Sequence, residues 1–221
     1  MLLRTNTSSI RPVDGHLAAL AGERVFCSEF RYRRGTEVFG EGEETEYVYQ
    51  IISGAVRTHK LLADGRRQIN SFHLPDDMFG LENGATHRFT AEAVVETRVR
   101  ITRRRSLLET MQNRQSGASS FLALVTRNLQ HAENHMLLLG RKTALERVAA
   151  FLLELDERLG QPSVLVLPMS RRDIADYLGL TLETVSRACS TLRDQKMLKF
   201  EGATQRQIVL LDRKGLAEHD A

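Results

Sequence analysis

The apolar positions of this chain change period about two-fifths of the way along it. From Arg24 to about Thr102 the runs are short or alternating: Val38-Phe39, Tyr47 to Ile52, Ala55 to Thr58, Gln68 to Phe72, Ala91 to Val95 and Arg98 to Ile101. Turn residues separate them, at Gly35, Gly40-Glu41-Gly42, Ser53-Gly54, Asp64-Gly65, Pro75-Asp76-Asp77 and Asn83-Gly84. Short strands at this spacing predict a sandwich or jelly roll. Asp64-Gly65 between two strands predicts a tight hairpin. Ahead of the strands, Val13 to Ala21 is the one short helix expected.

Helical spacing takes over after the arginine-rich stretch Arg98 to Arg105. A short helix starts at Ser106, and a long one comes after it. On the long helix Ala118, Leu122, Val125, Leu129, Ala132, Met136 and Leu139 are spaced four and three residues apart in turn, a heptad seam with every core position apolar. A single helix with such a seam needs a partner. A parallel two-fold dimer is expected, the alternative being a seam covered by the strand domain. His131 and His135 are four apart, at c and g positions with no third ligand in reach. They are expected at the surface or interface and not on a metal. Gly140 predicts a break. Thr143 to Leu155 is a second helix, closing near Gly160, whose face Val148, Phe151, Leu152 and Leu155 should pack beneath the C-terminal helices. Val164 to Leu167 is a short strand stopped by Pro168.

Ser170 to Leu192 then predicts two helices joined by a tight turn. Ser170 is a good N-cap and Asp173 completes a capping box. Ile174, Ala175 and Leu178 form one apolar face, and Gly179 suits a left-handed C′ position. Thr181 caps the second helix. Leu182, Val185, Cys189 and Leu192 make one stripe of it, and Glu183, Ser186, Arg187 and Ser190 another. If the first stripe is buried, the second faces outward with its chemistry at the helix N-terminus, the end a recognition helix sets against base edges. A guanidinium can donate twice to guanine, a carboxylate can accept from cytosine or adenine amines, and a serine hydroxyl is short enough for a base or phosphate. The alternative is an amphipathic hairpin with a solvated polar face. Met197 to Leu211 predicts a β-hairpin turning near Gly202, which would make the unit a winged helix.

Composition narrows the class without settling it. The 221 residues are 42% hydrophobic and 27% charged, as in ordinary globular proteins. There is no bilayer-length apolar run and no signal-peptide core, so a cytoplasmic protein with no membrane partner is expected. Two cysteines, Cys27 and Cys189, suit a reducing compartment. Net charge is +3, and from Arg141 onward 13 Lys/Arg face 12 Asp/Glu. A basic partner surface must therefore be local, built from Arg171, Arg172, Arg187 and Arg193. Cys189 has two readings: a redox thiol beside Arg187, or a small buried thiol on the inward stripe. The stretch Phe79 to Thr90 also has two: a loop joining strands, or a cradle for a cyclic nucleotide through backbone amides, Glu82 and Arg88. The histidines His59, His73 and His87 show no ligand grouping, so neither an enzyme nor a metal site is expected.

These motifs together resemble the CRP/FNR superfamily of bacterial transcription regulators over nearly the whole chain. The resemblance is carried by Gly54-Ala-Val, Asp64-Gly-Arg, the run Phe72 to Gly80, the run Glu146 to Leu155, and Leu180-Thr-Leu-Glu-Thr-Val-Ser-Arg. It implies an α+β fold: an N-terminal cupin-like β-barrel (jelly roll) over residues 1–113, a dimerisation helix over 114–140 and a winged helix-turn-helix over 141–221. It further implies base contacts by Glu183, Ser186 and Arg187. Leu182 stands where FNR-type members are apolar, which implies a palindrome of the TTGAT…ATCAA kind. Phosphate contacts would come from Ser170, Arg171, Arg172, Thr181 and Thr184, and RNA polymerase would be a further partner. The N-terminal cysteine cluster of FNR-type oxygen sensors is missing from this sequence, and Thr86-His87-Arg88 lacks the Arg-Ser/Thr pair of cyclic-nucleotide binders. The resemblance is therefore to the FixK-like branch, whose members activate genes of low-oxygen respiration and nitrogen metabolism without a cofactor. Gating by a cyclic nucleotide or haem in the barrel is the alternative.

Overall fold

The computed structural model describes residues 3–4, 9–82, 84–114, 117–141, 143–202 and 204–218. Asn83, half of one predicted turn, lies outside the described residues. The chain divides into two compact units, residues 1–130 and 131–221.

The first unit is a jelly roll. Its strands are β1 (Leu3–Arg4), β2 (Ser9–Pro12), β3 (Arg24–Tyr32), β4 (Glu37–Phe39), β5 (Tyr47–Ser53), β6 (Val56–Leu61), β7 (Arg67–His73), β8 (Met78–Phe79), β9 (Thr90–Ala93) and β10 (Thr97–Arg103). One sheet runs β1-β3-β10-β5-β8, with β2 also on β3, and the other runs β4-β9-β6-β7. Their inward residues share one core, in which Tyr32, Tyr49, Ile51, Phe79 and Val99 of the first sheet meet Phe39, Val56, Ala91 and Ala93 of the second. The Asp64-Gly65 turn closes the β6–β7 hairpin, with Gly65 at φ 82°. At Gly54, φ is 93° and a Cβ would sit 2.5 Å from the carbonyl oxygen of Glu96, so this β5–β6 corner needs glycine on both counts.

The outer face of the first sheet is covered by helices. Leu17, Leu20 and Ala21 of α1 (Gly15–Ala21) pack with Val25, Cys27 and Val48, and with Leu107 and Met111 of α2 (Arg104–Gln112). Leu124, near the start of α3 (Gly117–Arg141), joins them. The predicted break at Gly140 falls one residue before the end of α3 at Arg141. A glycine costs a helix interior only about 1 kcal/mol, and the stop comes from the cap that opens the next helix. Most of the seam is open: Leu122 is 66% exposed, Val125 43%, Leu129 55% and Met136 63%, with Ala132 exposed beside them. Leu139 differs. It is half-buried, because here the helix side turns toward Gly179, whose Cβ position lies 3.7 Å from the Leu139 side chain.

The second unit is built on α4 (Ala144–Arg158). Thr143 caps it with a full capping box, and Val148, Phe151, Leu152 and Leu155 are buried as the spacing predicts. α4 packs on α6 (Leu182–Asp194), and α5 (Arg171–Leu178) packs on α6 in turn. The sheet β11 (Leu165–Val166), β13 (Gln207–Leu210) and β12 (Leu198–Glu201) forms the wing, and α7 (Arg213–Glu218) comes after it. Arg213 donates to both carboxylate oxygens of buried Asp156 at 2.7 and 3.0 Å, tying α7 to α4.

Two features of this unit are not visible in the periodicity. Arg147 donates to the Leu139 carbonyl at 2.8 Å and to the Leu178 carbonyl at 3.0 Å. One guanidinium thereby serves the C-terminal carbonyls of both α3 and α5, where helix dipoles favour a cation. The two histidines of α3 also differ from expectation. His131 lies 3.2 Å from Glu154 of α4, and His135 stacks on Tyr177 of α5 with centroids 4.0 Å apart. Both are half-buried here because α4 and α5 fold over this side of the helix. Burial and then the neighbouring His131 push the pKa of His135 down to about 4, so it is neutral at pH 7.

Arg147→Ala should lower unfolding stability by about 2–3 kcal/mol in urea titrations, since two helix-end carbonyls lose a charged donor. Arg147→Lys should recover less than half, because an ammonium cannot fork between them; an unchanged midpoint for the alanine variant would refute the role. For His135, the unfolded ring takes a proton near pH 6.5 and the folded ring only near 4. Between those values the unfolded state binds more protons, so stability is full above 6.5 and falls as pH drops toward 4. The loss should be about 1–2 kcal/mol, discounted for the solvent-facing part of the ring. His135→Phe should flatten the stability difference measured between pH 7 and pH 4.5.

Candidate nucleic-acid interface

The helix-turn-helix is set by local chemistry. Ser170 N donates to Asp173 Oδ2 at 2.9 Å and Asp173 N donates to Ser170 Oγ at 3.2 Å, which closes the capping box of α5. The box draws Asp173 to 5% exposure, and Ile174, Ala175 and Leu178 are buried with it. Gly179 ends the helix at φ 63°, ψ 37°, the left-handed position its sequence place predicts. Thr181 Oγ1 then accepts from Thr184 N at 3.2 Å and caps α6.

On α6 the inward stripe is Val185, Ala188, Cys189 and Leu192, all buried. Leu182, expected on that stripe, is half-buried at its edge, because the first turn of α6 rises out of the core. Glu183 and Arg187 are exposed, while Ser186 and Thr184 are half-buried between them. The Glu183 carboxyl is held below its ordinary pKa by its own backbone amide at the helix start and then by the Thr181 hydroxyl, with Arg172 and Arg187 adding weaker attraction. The N-terminal end of α6 thus presents a firmly ionised acceptor beside a guanidinium donor, with a short hydroxyl and an aliphatic edge alongside.

The arginines named from the sequence separate into two kinds. Arg172 and Arg187 are exposed and make no ion pair among the described residues. Arg193 folds onto Asp194 at 2.8 Å. Arg171 lies 5.3 Å over the Phe200 ring of β12 and donates to Gln205 Oε1 at 2.7 Å, so it joins the start of α5 to the wing. Arg171 and Arg147 hold the two ends of α5. Neither task has a sequence signal, since Phe200 and Gln205 are distant from Arg171, and Leu178 from Arg147, along the chain. The hydroxyls of Ser170 and Thr181 are engaged as caps, and Thr184 Oγ1 lies 3.0 Å from Thr181 Oγ1. Cys189 is 4% exposed and burial raises its thiol pKa, so it is the small inward thiol of the two readings.

In the first unit, the barrel interior is filled by its own rings. His87 stacks on Phe39 at 3.5 Å, Tyr49 on Phe79 at 5.0 Å and His73 on Phe79 at 5.0 Å. His87 is buried and its Nδ1 lies 3.3 Å from Glu82, so this histidine of the loop joining β8 and β9 packs into the core. Among the described residues no helix is long and apolar enough to cross a membrane, and no cluster of three metal-ligating side chains occurs.

Residues 146–219 match the Crp-like helix-turn-helix domain, and residues 29–114 match the cyclic nucleotide-binding domain. The chain is 45% identical over 186 residues to the nitrogen fixation regulation protein FixK of Rhizobium meliloti, covering 84% of this chain and 83% of that protein. It is 43% identical over 218 residues to the FixK protein of Azorhizobium caulinodans, covering 96% and 84%. The structure of FixK2 from Bradyrhizobium japonicum superposes with a TM-score of 0.83 at 57% identity, covering 88% of this chain and 98% of that one. A capped recognition helix, a wing and a jelly roll thus accompany these relatives, and the chain belongs to the CRP/FNR superfamily as a FixK-like DNA-binding transcription regulator.

Proposed function

We propose that the protein is a homodimeric activator acting in the cytoplasm that reads a TTGAT…ATCAA-type palindrome and controls genes of low-oxygen respiration or nitrogen metabolism. One observation carries the base-reading part. α6 buries Val185, Cys189 and Leu192 and leaves Glu183 and Arg187 outward at its N-terminal end. In this reading Arg187 donates to a guanine, Glu183 accepts from a base amine, Ser186 approaches between them and Leu182 touches a thymine methyl. Arg172 supplies the mobile phosphate contact. Arg171 approaches phosphate from its place against the wing, and Ser170, Thr181 and Thr184 present backbone amides and hydroxyls of the two helix starts.

The dimer reading rests on the open stripe of Leu122, Val125, Leu129, Ala132 and Met136, with Leu139 at its partly covered end. Apolar side chains at heptad spacing, more than two-fifths exposed, are what a second copy of the same helix covers. Residues 1–113 then act as the barrel domain, 114–140 as the dimerisation helix and 141–221 as the reader, with two half-sites about one helical turn apart. RNA polymerase is the partner of the DNA-bound dimer. No effector or cluster is required in this reading. A nucleotide or haem entering the barrel would have to displace the stacked Phe39, Tyr49, Phe79, His73 and His87. The control of nitrogen fixation genes is suggested by the names of the FixK relatives.

Arg187→Ala should weaken binding to the palindrome by about 1–3 kcal/mol and relax specificity at one base pair per half-site, while leaving affinity for random DNA nearly unchanged. Equal losses on both DNAs in fluorescence anisotropy titrations would remove its base-reading role. Replacing Leu129 and Met136 together by Glu should give monomers in sedimentation equilibrium and abolish cooperative filling of the two half-sites. A mass that stays dimeric would refute the seam.

A further inference from the structure

One arginine cluster is used neither by the reader nor by the seam. Arg103, Arg104 and Arg105 stand in succession at the junction of β10 and α2. They line a cleft of about 460 Å³ with Glu46, Leu108 and Gln112. That volume lies in the roughly 300–1,000 Å³ range of small-molecule clefts.

The local electrostatics are the reverse of what a helix start favours. α2 has no acid in its first turn and no side-chain N-cap, and its first residues are Arg104 and Arg105, with Arg103 at the cap. Cations at the positive end of a helix dipole are unfavourable. Departures of this kind concentrate where a site needs them. The Arg104 amide donates to the Glu46 carbonyl at 2.9 Å, but a bound anion would still reverse the sign of the interaction, because it would be attracted at once by the positive end of the helix and by the guanidiniums.

The three arginines differ in how they are held. Arg104 Nη1 donates to Thr45 Oγ1 at 2.8 Å and to the Gly84 carbonyl at 3.0 Å, so it is fixed in the wall. Arg105 Nε donates to Glu109 Oε1 at 2.9 Å and is otherwise open to solvent. Arg103 is exposed and makes no ion pair among the described residues. Against these stand two carboxylates. Glu109 is engaged by Arg105, while Glu46 is exposed beside Arg104, whose amide donates to the Glu46 carbonyl. A carboxylate there repels a bare inorganic anion but accepts hydrogen bonds from hydroxyl groups. Leu108, 37% exposed, offers an apolar surface for a carbon skeleton.

We propose that this cleft binds a phosphate ester of a small hydroxylated metabolite, of the sugar-phosphate class. Arg103 and Arg105 grip the phosphate over the start of α2, Glu46 takes the sugar hydroxyls, and Leu108 carries the carbon chain. The site lies outside the aromatic interior of the barrel and does not depend on how the protein reads DNA.

The test is isothermal calorimetry on the full chain at matched ionic strength, with ribose 5-phosphate, adenosine 5′-monophosphate and inorganic phosphate as probes. Saturable binding of one ribose 5-phosphate per chain, tighter than inorganic phosphate, is expected. Tighter binding of the nucleotide than of ribose 5-phosphate supports the site and identifies its source as a nucleotide. Arg103→Gln should weaken the sugar phosphate about tenfold without moving the thermal midpoint, as Arg103 has no structural ion pair to lose. Glu46→Gln should bring inorganic phosphate and ribose 5-phosphate closer in affinity. Three outcomes overturn the proposal: no saturable heat with any probe at millimolar concentration, affinities unchanged in the Arg103→Gln, Arg105→Gln double variant, or heats for all three probes that track ionic strength alone.

Discussion

A single guanidinium organises the DNA-reading unit. Arg147 reaches from α4 to the Leu139 carbonyl in the last turn of α3 and to the Leu178 carbonyl that ends α5. α5 must end at Gly179 for the turn to bring α6 across it, and the carbonyl that Arg147 binds belongs to Leu178, the residue before that turn. The same side chain therefore ties the end of the long helix to the turn of the reader. Arg171 does the corresponding work at the other end of α5 by gripping the wing through Phe200 and Gln205. The outward residues of α6 gain their common direction from this frame, against which α6 buries Val185, Ala188, Cys189 and Leu192.

Charge in this protein is placed locally. The net charge of +3 on 221 residues would draw little nucleic acid by itself. Many arginines are already engaged: Arg193 with Asp194, Arg213 with Asp156, Arg57 with Glu92, and Arg100 with Asp14 and Glu29. Arg172 on α5, Arg187 in the first half of α6 and Arg103 at the cap of α2 are exposed, make no ion pair among the described residues and stand toward helix starts. A FixK-like regulator built this way avoids a broad basic surface that would bind DNA without regard to sequence.

Histidines show how burial changes the meaning of a residue. His131 and His135 are a helical pair that spacing alone would allow on a metal. In the fold one faces Glu154 and the other lies flat on Tyr177, so both serve the packing of α3 against α4 and α5. His87 and His73 similarly complete an aromatic core. An imidazole is flat, can be neutral and carries two polar atoms. It therefore fits a semi-polar core as readily as a ligand sphere.

Features that depend on near neighbours were legible in the amino-acid order alone. The capping box at Ser170, the cap at Thr181, the glycine turn at Gly179, the Asp64-Gly65 hairpin and the heptad stripe all arise from residues at short, regular spacing along the chain. Backbone donors and side-chain acceptors at that range meet whenever the helix or turn forms. The outward placement of Glu183 and Arg187 was legible for the same reason, since helix periodicity separates an inward face from an outward one. Packing in three dimensions settled the remainder. It placed Arg147 on two helix ends and Arg171 on the wing, and half-covered Leu139 and His135. It also brought Thr45 and Glu46 to Arg103–Arg105. These contacts join residues far apart along the chain. Which partners meet is set by how whole helices and sheets pack their apolar faces, and no local spacing encodes that.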